Sequence, residues 1–353
     1  MTEPIKKILI IQTAFLGDVV LALPMVYALK KLIPGSSIDF LCIPETSNVL
    51  ENNPFIREAI RYDKKNKYKF KNLMKIIARV KKEKYDVVIC PHRSLGSALI
   101  TFFTNAEVRI GFDRNALNFL LTETAVYNYK QHEINRNLEL VKIIPVTSYD
   151  EKIINLKPEL FPSQKDILIA EKLLFSKTPT NTINTLIAFA PCSKWFTKQI
   201  TLNKSADILK GLINSGYRAV IIGGSEDFEY CKELETRVNT GEDKLINLSG
   251  KLTPLQSSVV ISKCAVLITT DSAAMHLGAS TDTPMVVIYG STSPAFGFYP
   301  LTSRNVIIGN NELTCRPCTD HGRKKCPLNH FKCIEDIPAE DIVNAVKKVQ
   351  NRI

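Results

Sequence analysis

"CAVLITTDSAAMHLGAS", residues 264–280, decides how this chain folds. An apolar run, Cys264 to Ile268, leads straight into Thr269, Thr270, Asp271 and Ser272, and two alanines follow before Met275 and His276. A continuous apolar run bounded by polar residues reads as a strand covered on both faces, as in a parallel sheet. Asp and Ser are helix-start residues, so the stretch reads strand, turn, helix, with the helix opening at Asp271 or Ser272. Small side chains at Ala273 and Ala274 leave the first-turn N–H groups uncovered. Those groups and the positive helix end suit a diphosphate. His276 stands one turn beyond Ser272 on the same face. The plain alternative is a capped helix with a half-buried histidine.

The same pattern recurs on either side. "TLIAFAP" (185–191), "RAVIIGG" (218–224), "KLINLSG" (244–250) and "PMVVIYG" (284–290) read as further strands separated by helix-length segments. "LNKSADILKGLINSG" (202–216) is one such helix, ending at a glycine. The first half shows the alternation too, in "KILIIQ" (7–12), "SIDFLCI" (37–43), "DVVICP" (86–91) and "EVRIGF" (107–112). Between the halves, residues 155–184 change character, with two spaced prolines, an amphipathic helix and a Thr/Asn-rich stretch, and read as the linker region. The expected fold is α/β: two doubly wound Rossmann-like domains facing a central cleft, with ligands bound beyond the carboxyl ends of the strands.

A length of 353 residues fits two domains, and a 45% hydrophobic content supplies two cores. The formal net charge of +11 points to an anionic partner. Much of the excess lies in residues 64–86, where Leu73, Ile76, Ile77 and Val80 recur at helical spacing. This is a surface helix whose basic face is either merely solvated or touches anionic lipid or acceptor phosphates. The N-terminal apolar run breaks at Gln12 and reads as a first strand, not a signal peptide. No stretch is long and apolar enough to span a bilayer. The expectation is a cytoplasmic chain that touches a membrane peripherally.

Three more post-strand turns carry polar residues. In "QTAFLGDVVLALP" (12–24), Asp18 is either a plain helix cap, worth about 1 kcal/mol, or a carboxylate aimed at a ligand as a general base. Pro24 predicts a kink or a late start in the helix that follows. In "PCSKWFTKQI" (191–200), Thr197 and Lys198 reach an anion, or Lys198 is a surface lysine; Trp195 is the only tryptophan. In "IIGGSEDFEY" (221–230), Glu226 and Asp227 either favour the helix dipole or accept hydrogen bonds from ribose hydroxyls. "YGSTSP" (289–294) is a further polar loop that closes the same pocket.

Taken together and in this order, "GDVVLALP", the Ser-Lys-Trp-Phe-Thr-Lys run, "GGSED", "TTDSAAMH" and "YGSTSP" resemble the ADP-heptose:lipopolysaccharide heptosyltransferase family, inverting glycosyltransferases of GT-B architecture. Each motif is weak alone and the ordered set is specific; the likeness spans nearly the whole chain. It implies a catalytic base at Asp18 and donor diphosphate contacts at Thr197 and Lys198. It also implies a ribose carboxylate at Glu226 or Asp227, a donor-sugar contact at Asp271, and a phosphate-binding turn at Ser272, Ala273 and His276. "HEINR" (132–136), with His132 and Arg136, and "PHRS" (91–94), with His92 and Arg93, are the implied acceptor-side segments. The implied division is an acceptor-binding domain over 1–165, a nucleotide-sugar-binding domain over 166–335, and a C-terminal helix over 336–353 packing back towards the first domain. Relatives often carry Trp-Pro just after the lysine where Ile200 and Thr201 stand here, which leaves the nucleotide sugar open.

Nine cysteines complete the inventory. Cys42, Cys90, Cys192, Cys231 and Cys264 lie in apolar contexts and read as core residues. Cys315, Cys318, Cys326 and Cys333 cluster with His321 and His330. Four soft ligands opening on C-x-x-C are either a structural zinc or iron site, reduced thiols, or local disulfides. The reaction the resemblance implies is expected to require no cofactor or metal for catalysis.

The resemblance implies transfer of a heptose from ADP-heptose to a lipopolysaccharide inner-core or related anionic glycolipid acceptor, at the cytoplasmic face of the inner membrane. The nearest alternative is a GT-B transferase with another nucleotide sugar. A non-catalytic two-domain ligand-binding protein predicts an exported chain and leaves Asp18 without a role. A nucleic-acid binder has only the charge in its favour, without a basic helix-turn-helix or an aromatic RNA-binding signature.

Overall fold

A computed structural model describes residues 4–144, 157–176 and 185–350. The chain divides into two compact units, Met1–Phe161 and Pro162–Ile353. The boundary falls four residues ahead of the one expected. Of the linker segment, 155–156 and 177–184 lie outside the described residues.

The first unit holds β1 (Lys7–Ile11), α1 (Leu16–Leu32), β2 (Ser37–Cys42), β3 (Glu58–Arg61), α2 (Lys69–Glu83), β4 (Val87–Cys90), α3 (Leu95–Phe103), β5 (Val108–Phe112), β6 (Glu123–Ala125) and α4 (Glu133–Lys142). Its sheet is parallel, in the order β3-β2-β1-β4-β5-β6. The strand order reverses between β1 and β4, which places the switch point beside Thr13 and His92, just past their carboxyl ends. Ile8 to Ile11 and Val87 to Cys90 are fully buried, as apolar runs covered on both faces should be. The helix after β1 starts at Leu16 and runs through Pro24, so the late start expected from the proline does not occur. Proline removes one N–H from the ladder, and burial of α1 from Val19 to Val26 outweighs that loss. Asn137 of α4 donates to the Leu21 carbonyl at 3.1 Å and ties the two helices together.

The second unit contains α5 (Gln164–Phe175), β7 (Leu186–Ala190), α6 (Leu202–Asn214), β8 (Arg218–Ile221), α7 (Phe228–Val238), β9 (Leu245–Asn247), α8 (Pro254–Ser262), β10 (Val266–Thr270), α9 (Ala273–Ser280), β11 (Met285–Ile288), β12 (Asn305–Ile308), α10 (Lys332–Glu335) and α11 (Ala339–Gln350). Its sheet order, β12-β11-β10-β7-β8-β9, is the same winding repeated, with its switch point between β7 and β10. Helix starts follow local chemistry. Thr201 caps α6 through the Lys204 N–H, and Thr253 and Gln256 close a reciprocal cap on α8. Gly278 lets α9 lie close on the sheet, since a Cβ there would stand 2.6 Å from Leu267 and 2.7 Å from Met285. The C-terminal helix, expected to reach back towards the first domain, is part of this unit's core. Ile342, Val346 and Val349 are buried in one cluster with Ile208, Leu212 and Val286, because the apolar stripe of α11 finds its cover there.

Among the described residues, no helix is long and apolar enough to cross a membrane.

Candidate active site

In the second unit, Lys198 follows β7 and Asp271 follows β10, the two strands that flank the switch point. Lys198 Nζ lies 2.8 Å from Asp271 Oδ2. The same carboxylate oxygen accepts a 2.8 Å hydrogen bond from Thr292 Oγ1 in the loop after β11. Both partners are largely withdrawn from solvent, so this is an oriented pair, not a screened surface contact. Ser272 precedes α9 in extended backbone without a side-chain cap. Its hydroxyl lies instead 3.2 Å from Thr269 Oγ1. The first turn of α9 therefore starts at Ala273 and Ala274, both partly exposed, with no Ser272 side chain over their N–H groups. His276 is in the second turn and buried.

Thr197 is placed differently from the expectation. It is only 1% exposed, and its hydroxyl accepts from Ser291 Oγ at 2.9 Å and from the Arg323 N–H at 2.8 Å. It braces the loop next to Lys198. Of the carboxylate pair after β8, Glu226 is exposed, whereas Asp227 is half-buried and accepts from the Gly224 N–H at 2.8 Å. Burial, then the neighbouring Glu226 charge, pushes the Asp227 carboxyl up. Asp227 is the helix-start residue of the pair and Glu226 the solvent-facing one.

In the first unit, His92 Nδ1 is within hydrogen-bond distance of three hydroxyls: Thr13 at 2.9 Å, Ser97 at 2.9 Å and Ser94 at 3.2 Å. Burial, then the Lys64 and Arg93 charges, lowers its pKa to about 4, so the ring is neutral near pH 7. Lys64 Nζ donates to the Thr13 carbonyl at 2.6 Å. Burial, then Lys65, pulls the Lys64 pKa down against the opposing charges of Glu45 and Asp18. Asp18 is the third residue of α1, half-buried, and its Oδ2 accepts from the Phe15 N–H at 3.1 Å. The capping geometry is therefore present at Asp18. Its charge is felt by both Lys64 and Glu133, so it sits inside the cluster of titratable groups at this switch point.

Arg93 stacks on the Tyr127 ring, 4.0 Å from its centroid. Arg136 also lies over Tyr127 and donates from Nε to Glu133 Oε2 at 2.6 Å while only 1% exposed. His132 is buried and caps α4 through the Ile134 N–H. His132 and Arg136 thus form a buried frame beneath Tyr127, and Arg93 is the partly exposed cation of this group. Lys64 opens the basic stretch 64–86, read in the sequence as solvated or touching anionic lipid or acceptor phosphates, but it was not singled out there because it follows β3, an edge strand with no continuous apolar run. Tyr62-Asp63-Lys64 directly after that strand is the signal that finds it.

All nine cysteines are free thiols. Burial pushes the Cys318 thiol up, reinforced by Cys315 and Cys326, and pushes the Cys333 thiol up to about 11. Among the described residues, no three His, Cys, Asp or Glu side chains stand where one metal ion could be held.

The profile of glycosyltransferase family 9 (heptosyltransferase) matches residues 73–329. Lipopolysaccharide heptosyltransferase 2 of Salmonella typhimurium is 25% identical over 303 residues, covering 82% of this chain and 84% of that protein. A glycosyl transferase family 9 structure from Veillonella parvula superposes with a TM-score of 0.84 at 22% identity, covering 99% of this chain and 98% of that one. The ADP-heptose lps heptosyltransferase II structure from E. coli gives 0.77 at 22% identity, with 98% of each chain covered. Two six-stranded parallel sheets of identical winding, polar residues gathered past both switch points, and a family match over most of the length agree with one another: the chain is a glycosyltransferase of GT-B fold and belongs to glycosyltransferase family 9, the heptosyltransferases.

Proposed function

We propose that this enzyme transfers a heptose from ADP-heptose to an inner-core lipopolysaccharide or closely related glycolipid acceptor, with inversion at the anomeric carbon. The observation that carries the reading is the second unit's switch point. There a fixed lysine ammonium and the start of α9 flank one spot, the arrangement a diphosphate needs. Lys198 and the N–H groups at Ala273 and Ala274 would hold the donor's phosphates, with Ser272 and His276 at the same helix end. Asp271 orients Lys198 and would face the donor sugar, and Glu226 the ribose hydroxyls.

The chemistry is a single displacement. The acceptor hydroxyl attacks the anomeric carbon, a C–O bond forms, and the bond to the donor's β-phosphate oxygen breaks. The hydroxyl proton passes to the Asp18 carboxylate, and ADP leaves with the bonding pair. Positive charge on the sugar ring resembles the oxocarbenium-like state of glycoside hydrolysis. The negative charge gathering on the departing phosphate is met by the Lys198 ammonium and the α9 N–H groups. Lys64, Arg93 and neutral His92 would line the acceptor side and select for an anionic acceptor, while buried His132 and Arg136 support Tyr127 beneath Arg93.

The acceptor is a lipid, and α2 offers a surface that matches. Phe70 is 76% exposed, and Tyr68 and Met74 are exposed beside it, with Lys67, Lys71 and Lys75 alongside. Apolar side chains flanked by lysines suit the headgroup region of an anionic membrane. We place the enzyme at the cytoplasmic face of the membrane that carries its acceptor. Incubation with ADP-heptose and a heptose-deficient lipopolysaccharide core should raise the acceptor mass by one heptose. Transfer from a different nucleotide sugar, with ADP-heptose inert, would reject the donor assignment.

A further inference from the structure

The cysteine-rich segment has no part in the reading above, yet it touches both members of the Lys198–Asp271 pair's surroundings. On the lysine side, Thr197 and Arg323 are joined twice. The Thr197 N–H donates to the Arg323 carbonyl at 3.1 Å, and the Arg323 N–H donates to the Thr197 hydroxyl at 2.8 Å. Gly322 has φ +103, and a Cβ there would lie 2.5 Å from Trp195 Cβ and 2.9 Å from Lys198 Cδ. The segment therefore lies directly on the Lys198 stem, and only glycine fits. On the aspartate side, Arg316 donates to the Gly290 carbonyl at 2.5 Å, the Tyr289 carbonyl at 2.9 Å and the Thr292 carbonyl at 3.2 Å. Thr292 is the residue whose hydroxyl holds Asp271. Cys318 closes the connection, its N–H donating to the Ser291 carbonyl at 3.1 Å.

We infer that residues 316–323 are a brace that presets the Lys198–Asp271 pair for the donor diphosphate. Arg316 and Arg323 act through backbone carbonyls and the Thr197 hydroxyl and so are positioning residues. Preorganising a cation removes the cost of ordering a long flexible side chain when the donor binds. The inference rests on the reading of Lys198 as a diphosphate contact.

The test is a double-mutant cycle on ADP affinity, read by calorimetry, with thermal unfolding measured in parallel. Gly322→Ala and Thr197→Val should each weaken ADP binding about tenfold, on the scale of one charged hydrogen bond. Thr197→Ser should restore it. In a Lys198→Ala background the same changes should add almost nothing, because the group they position is gone. If Gly322→Ala does not fold, the Thr197→Val and Thr197→Ser pair decides alone. Wild-type ADP affinity in the folded brace variants, with Lys198→Ala impaired, overturns the brace and leaves the site reading standing. Losses that multiply in full with that of Lys198→Ala overturn it as well. Unchanged ADP affinity in Lys198→Ala itself removes the diphosphate contact, and the brace falls with it.

Discussion

Lys198 and Asp271 meet at 2.8 Å from two loops that are far apart in sequence but adjacent at the second unit's switch point. A lysine held this way has little rotamer freedom left to lose, so a ligand phosphate meets a cation already in place. Lys198→Ala should weaken ADP binding at least tenfold, since a charge-assisted hydrogen bond is worth about 1.5–3 kcal/mol. Calorimetric titration checks this, and unchanged affinity removes Lys198 from the site.

The buried Arg136–Glu133 pair predicts a stability effect, not a substrate effect. Burial pushes the Glu133 carboxyl up, and Arg136 pulls it back towards the charged form. Arg136→Met would strand that carboxylate and should cost about 3–5 kcal/mol in chemical denaturation. The double variant Glu133→Gln/Arg136→Met should recover part of the loss. A normal stability for Arg136→Met, with a raised KM for the acceptor, would instead make Arg136 an acceptor contact.

His92 predicts a pH dependence with a definite sign. Its pKa falls from the ordinary 6.5 to about 4 in the folded chain, chiefly through burial. Between those values the unfolded chain binds the extra proton, so stability falls as pH drops from about 6.5 to 4 and levels off below. The contribution is of order 2 kcal/mol after allowing for partial solvent access. Urea unfolding at pH 7 and pH 5 should show a smaller drop for His92→Gln than for the wild type. Equal drops would mean that His92 titrates normally.

The α2 surface predicts salt-sensitive binding to vesicles rich in anionic lipid. Each lysine near such a surface contributes about 1 kcal/mol, so Lys71→Glu/Lys75→Glu should abolish sedimentation with the vesicles. Phe70→Ser should weaken it at every salt concentration. Binding to neutral vesicles as tight as to anionic ones would contradict the lysine contribution.

The central strands were legible in the sequence because they are buried on both faces. Ile8 to Ile11, Val87 to Cys90 and Val266 to Ile268 admit no polar residue. The three strands that were missed, Glu58–Arg61, Glu123–Ala125 and Asn305–Ile308, are short edge strands. Glu58–Arg61 and Glu123–Ala125 mix charged or polar residues with apolar ones and leave no run to see, and Asn305–Ile308 carries only the three-residue run Val306 to Ile308. The post-strand turns were found for the same reason as the strands they end. What spacing could not show was depth. Thr197, His132 and Arg136 are polar residues in well-placed motifs, yet their partners are Arg323, Ile134 and Glu133, not open space. Lys64 was read only as part of the basic stretch 64–86, because the strand before it went unseen.

Asp18→Asn tests the central claim most directly. Asparagine keeps an acceptor for the Phe15 N–H, and so keeps the start of α1, while removing the basic carboxylate. With a heptose-deficient core as acceptor, kcat should fall by roughly 10²–10⁴ while ADP-heptose affinity stays within a few-fold of wild type. An unchanged kcat accompanied by lost donor binding would contradict the assignment of Asp18 as the base.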